Sequence, residues 1–234
     1  MCHSSCIAFG TRILDETQVT RKRVLEVGSY DVNGSLRPTI EAHGPYEYVG
    51  VDIAPGPGVD LLCDAGDLVE RFGAESFDVV VATELLEHVR DWRSVVSNLK
   101  RVCRRGGILV VTTRSTGFPY HAHPADYWRY EVDDFRTIFD DLDIVALERD
   151  EADPGVFLAA RKPETFTERD LDNIALYSIV GGRNIRDLDD RALGTPRART
   201  RVARLRVTSF VRRATRYASR RVGSLREQIV EGWT

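Results

Sequence analysis

A chain of 234 residues that is 42% hydrophobic and 29% charged is long enough for one full α/β domain with an appendage, and its composition is that of a soluble globular protein. No run approaches the roughly 20 apolar residues of a membrane-spanning helix, and no basic start followed by an apolar run reads as a secretion signal. The net charge of −3 hides an asymmetry: residues 197–226 hold eleven arginines and no acid, which leaves residues 1–196 at −12 once Glu227 and Glu231 are counted with the tail. An acidic body argues against a nucleic-acid-binding core and leaves the basic tail for anionic partners.

In chain order, Cys2, His3 and Cys6 begin no metal site, because no second ligand pair with zinc spacing follows, and the N-terminus reads as frayed. Residues 23–28 form a short buried strand ended by Gly28. Ser35 caps a helix to about His43, with Pro38 tolerated in its first turn. Residues 46–51 and 59–63 are the second and third strands, Leu68–Phe72 a brief helix, and residues 77–82 the fourth strand. Asp91 caps a helix whose face is Trp92, Val95, Val96, Leu99, Val102 and Cys103, stopped by Gly106-Gly107. Residues 108–112 are a fifth strand and residues 131–139 a helix. Residues 142–148 and 156–160 are a final strand pair joined by a turn at Asp153-Pro154-Gly155. Cys63 in an apolar run and Cys103 in a helix behave as small hydrophobes, so the compartment is expected to be reducing and cytoplasmic.

The alternation predicts a Rossmann-like α/β fold: a doubly wound, mostly parallel seven-stranded sheet with an antiparallel edge hairpin and a C-terminal helical extension. The expected organisation is an N-terminal segment 1–22, a cofactor domain 23–162 and an extension 163–234.

Ligands bind such sheets beyond the strand carboxyl ends. Glu26 and Asp52 stand at the ends of the first two strands, Asp52 placed to meet paired ribose hydroxyls. A dinucleotide needs a Gly-rich loop for its pyrophosphate, whereas here Ser-Tyr-Asp-Val-Asn follows Gly28 and Asp31 would repel phosphate. A cofactor without phosphates fits better. The ordered motifs Val24-Leu-Glu-Val-Gly28, Tyr48-Val-Gly-Val-Asp52, Cys63-Asp-Ala65, residues 77–89 and residues 99–109 resemble those of class I S-adenosylmethionine-dependent methyltransferases. The resemblance covers residues 23 to about 160. It implies that Glu26, Gly28, Ser29, Gly34, Asp52, Ile53, Asp64, Ala65 and Thr83 hold S-adenosylmethionine. The family's second and third loop glycines are replaced by Tyr30 and Val32, with Gly34 displaced.

Residues 113–130 form a long connection of a kind uncommon unless functional. Its aromatics and planar donors suit a sugar or other polar ring, so Tyr120, Tyr127, Trp128 and Arg129 are expected to touch the acceptor, with at least one of Tyr127, Trp128 and Tyr130 anchoring the loop to the body instead. His121 or His123, near Asp126, would be the base. A metal is not expected, since no further carboxylate pair accompanies the His-x-His, and His88 is as readily a packing or capping residue as a catalytic one. O-methylation of a sugar hydroxyl or similar small molecule, with a link to glycan modification, is the leading reading. A non-catalytic cofactor-binding scaffold and a nicotinamide-dependent oxidoreductase are its rivals.

Residues 174–180 read as one more strand before Gly181-Gly182. Val207, Phe210, Val211, Ala214, Tyr217, Ala218, Val222, Leu225 and Ile229 then recur at helical spacing among arginines. Such a helix would lie on an anionic inner-membrane face, dock on the acidic body of its own subunit or of a neighbour in a homo-oligomer, or stay a solvated, partly packed helix.

Overall fold

The computed structural model describes residues 3–210. Two helices, α1 (Ser4–Ile13) and α2 (Glu16–Val19), precede β1 (Arg23–Val27). Then come α3 (Arg37–Ala42), β2 (Glu47–Asp52), β3 (Leu61–Leu62), α4 (Leu68–Phe72) and β4 (Phe77–Thr83). A 3-10 turn (Leu86–His88) leads into α5 (Trp92–Val102), β5 (Cys103–Arg114), β6 (Trp128–Arg129), α6 (Val132–Ile138), β7 (Asp143–Arg149) and β8 (Gly155–Arg161). A hairpin of β9 (Leu176–Ser178) and β10 (Arg183–Ile185) is followed by α7 (Asp190–Gly194) and a helix, α8, that covers 196–210.

Seven strands form one sheet in the order β3-β2-β1-β4-β5-β8-β7. The first five are parallel, while β8 runs antiparallel to both β5 and β7, as the helix-free connection between the last two predicts. Period-two alternation sorts the central strands onto two cores. Leu25, Val80, Leu109 and Val111 meet Trp92, Val96 and Leu99 of α5 on one face. Val24, Val79, Val81 and Val110 meet Phe9, Leu36 and Ile40 on the other.

Local chemistry sets the helix ends. The Asp91 carboxylate accepts the Ser94 N–H at 3.2 Å, and Glu131 and Asp134 form a reciprocal capping box at the start of α6.

Four expectations need correction. The N-terminus is not frayed: α1 buries Cys6 and Phe9, whose ring lies 5.2 Å from that of Phe157, because its apolar positions cover a sheet face that β8 leaves open. The helix expected to include Cys103 ends at Val102, and Cys103 pairs with Phe77 as the start of β5, so Gly106-Gly107 lie at a register shift inside a strand. The third strand shrinks to two residues, since the loop before it is held down by hydrogen bonds to β2 and the β1 loop. The strand expected over 174–180 is a hairpin arm that pairs with β6, making a second sheet, β10-β9-β6, with no counterpart in the sequence reading. Of the amphipathic helix, only the part to Phe210 falls within the described residues.

Candidate active site

The strand order reverses between β1 and β4, and a cleft of about 970 Å³, counting its open mouth, lies there beyond the strand ends. Its outer wall contains Gly28, Asp52, Ile53, Asp64 and Ala65, five of the nine expected cofactor residues. The Asp52 carboxylate is fixed by backbone N–H groups of Tyr30 at 3.3 Å and Ala54 at 3.0 Å, and Asp64 by that of Gly66 at 2.8 Å. Between them Ile53 leaves 60% of its surface exposed, an apolar platform flanked by two acceptors.

The irregular glycine loop has a physical explanation. Gly28 turns the chain out of β1 at φ +76°, where only glycine is unstrained. Tyr30 then lines the cleft in place of a glycine, with its ring over Gly56, where a Cβ would lie 2.0 Å from the ring. The open space that further loop glycines would give is supplied from the loop after β2.

The other four expected cofactor residues do not line the cleft. Glu26 is buried beneath the loop and accepts the Tyr48 hydroxyl, and burial, opposed by that bond, pushes its carboxyl up to about 7. The Ser29 side chain is buried, the Gly34 N–H is donated to Asp31, and Thr83 is buried at the end of β4.

The inner wall combines expected residues with others that the motifs do not single out. It contains Glu84, Leu85, His88, His123 and Tyr127. Glu84 sits at φ +54° immediately after β4, buried and ion-paired with Arg114, which also meets Asp150 at 3.2 Å. The same strand-end rule that points to Asp52 also points to Glu84 and Leu85.

The connection after β5 divides. His123 and Tyr127 reach the cleft, but Tyr120 packs with Ile179, Val180 and Ala198 under α8, away from it. Trp128 and Arg129, expected to touch the acceptor, are 1% exposed and hold the loop instead. Trp128 Nε1 donates to the carbonyls of Val89 and Arg90 at 3.0 and 3.2 Å. Arg129 grips Asp126 through two nitrogens at 2.5 and 2.8 Å and also donates to the Pro119 carbonyl. Large planar donors in a loop are read equally well as ligand contacts or as anchors, and burial decides for anchoring.

Asp126, itself buried, accepts from the His121 backbone at 2.8 Å and meets His121 Nδ1 at 3.1 Å, so it orients His121 rather than facing the cleft. Burial lowers the His121 pKa, but the Asp126 and Glu87 carboxylates outweigh it and push the imidazole up to about 9. Burial likewise raises Glu87, yet His121 and His88 hold it well below the carboxylate range, while burial dominates at His88 and lowers it.

Residues 3–150 match the sequence profile of the methyltransferase domain family. A ubiquinone biosynthesis O-methyltransferase of Hahella chejuensis is 33% identical over 105 residues, 39% of this chain and 43% of that protein. The match thus spans less than half of that curated relative's length. Among solved structures, the 1,6-didemethyltoxoflavin-N1-methyltransferase of Burkholderia thailandensis, with bound 1,6-didemethyltoxoflavin and S-adenosylhomocysteine, superposes with a TM-score of 0.56 at 14% identity, covering 69% of this chain and 79% of that one. An S-adenosylmethionine-dependent methyltransferase from Mesorhizobium loti gives 0.52 at 15% identity, over 65% and 96% of the two chains. At these identities the solved structures share the fold.

Proposed function

This chain belongs to the class I S-adenosylmethionine-dependent methyltransferases, and from that premise we propose that it transfers the cofactor's methyl group to a hydroxyl of a sugar or similar polar small molecule. The observation that carries the reading is the outer wall: two backbone-fixed carboxylates at successive strand ends, either side of exposed Ile53 and beside the Gly28 turn. In this reading Asp52 accepts from the ribose hydroxyls, Asp64 from the adenine amino group, and Ile53 lies against the ring. Asp31 and the bulk of Tyr30 disfavour a pyrophosphate, which supports this cofactor over a dinucleotide.

In the transfer, an acceptor oxygen lone pair forms the new bond to the methyl carbon as the carbon–sulfur bond breaks, its electron pair going to sulfur and neutralising the sulfonium. The hydroxyl proton must leave to a base. His123 and Tyr127 form the inner wall from the 113–130 loop, and His123 is the expected base that reaches the cleft. The protein's main contribution is alignment. Aromatic Tyr30 and Tyr127 suit the face of a polar ring, and the Hahella chejuensis relative, an O-methyltransferase by name, supports oxygen as the acceptor atom.

The basic helix α8, with Val207 and Phe210 exposed at 63% and 71%, supports docking on an anionic surface. No helix among the described residues is long and apolar enough to cross a membrane.

A screen of labelled S-adenosylmethionine against sugars, phenols and lipids tests the reading. Label is expected on a sugar or comparable hydroxyl compound, and H123A should lower kcat by about 10²–10⁴-fold without weakening cofactor binding. Transfer to none of these classes would contradict the assignment.

A further inference from the structure

Next to the cleft, three side chains converge on one point. Glu87 and His88 come from the 3-10 turn after β4, and His121 from the loop after β5, and one ligand atom from each lies within 4.8 Å of the others. Both imidazoles are held by their Nδ1 atoms: His88 meets the Ala125 carbonyl at 2.5 Å and His121 meets the Asp126 carboxylate at 3.1 Å. Their Nε2 atoms are thereby aimed at the same carboxylate oxygen, Glu87 Oε1, at 3.9 and 3.5 Å. These distances exceed the 2.7–3.2 Å of a formed N–H···O bond. Glu87 is fully buried; Thr113 donates to its Oε2 at 2.7 Å, but Oε1 has no hydrogen-bond partner among the described residues.

We propose that Glu87, His88 and His121 form a divalent transition-metal site at the inner wall of the cleft. A buried carboxylate oxygen that accepts no formed hydrogen bond is costly, and a dication between it and two imidazole nitrogens removes that cost. Two histidines and a carboxylate suit zinc, iron or cobalt, and three protein ligands leave positions open for water or a substrate oxygen. The surroundings have the form of a metal site's outer layer, in which each ligating histidine donates its other nitrogen to a carbonyl or carboxylate. Here the Asp126 carboxylate is itself locked by Arg129. His88 lines the cleft, so the open positions face the acceptor's side. The proposal departs from the expectation of a metal-free site, which rests on His121, His123 and Asp126 without a further carboxylate pair; Glu87 supplies a carboxylate from a different loop.

The site is independent of methyl transfer and is tested by metal alone. The full chain, stripped with chelator, is titrated with Zn²⁺ by calorimetry and with Co²⁺ by visible absorption. One equivalent is expected, with ligand-field bands of nitrogen and oxygen coordination. E87Q should weaken binding by more than the roughly 10–100-fold typical of losing an outer-layer partner, while H123A leaves it unchanged. X-ray absorption on the unmutated, Zn²⁺-loaded protein gives a result that no folding defect can mimic. Two imidazoles and a carboxylate support the site, whereas sulfur ligands, as from Cys2 and Cys6, or the absence of saturable binding would overturn it.

Discussion

The outer and inner walls of the cleft are built on different physics. Asp52 and Asp64 rest on hydrogen bonds within their own loops and remain open to water. Asp126, Arg129, Glu87 and Thr113 are sealed, and each depends on a partner from elsewhere in the chain or across the loop. On the outer wall a ligand contact can therefore be removed with little damage to the fold. On the inner wall, position and stability are one property, because an unpaired buried charge is far more expensive than an exposed one.

The sharpest contrast is expected at Arg129. R129M leaves the buried Asp126 carboxylate with His121 but without its two guanidinium bonds and should cost about 3–5 kcal/mol in urea denaturation, whereas a loss below about 1 kcal/mol would mean that the inner wall is not sealed. Glu26, which belongs to the sheet rather than to either wall, gives a pH signature. Its folded pKa of about 7 lies above the ordinary carboxyl value of 4.5, so the cost of burying its charge is absent below about pH 4.5, grows as pH rises, and is complete above about pH 7. E26Q, which still accepts the Tyr48 hydroxyl, should be more stable than the parent by up to about 3 kcal/mol at pH 8 and equal to it near pH 4. Parallel melting curves across that range would show that the carboxyl is not held in this way. The smallest effect on stability belongs to the outer wall. D52A should change it by about 1 kcal/mol or less while weakening S-adenosylhomocysteine binding by about 10–100-fold, the worth of hydrogen bonds to a charged group.

The same division governs what the sequence reveals. Strand ends carry the outer wall, and strands announce themselves through apolar runs such as residues 77–83, so Gly28 and Asp52 can be placed by spacing, while Asp64 is placed by the resemblance that Cys63-Asp-Ala65 carries. The rest depends on chain segments distant in sequence. Gly56 makes room for Tyr30 from a loop that has no periodic pattern. β6 is a strand only because β9, some fifty residues later, pairs with it. Trp128 and Arg129 look like ligand contacts until their burial is known. Cys6 and Phe9 lie in a segment too short and mixed to signal a helix, yet they cover a sheet face that is assembled only after β8 is in place.

The most direct test of the cofactor cleft is calorimetric titration of the full chain with S-adenosylhomocysteine, run beside NAD. One saturable site for S-adenosylhomocysteine, weakened in D52A and absent for NAD, is the predicted result. No heat with S-adenosylhomocysteine together with saturable NAD binding would contradict it.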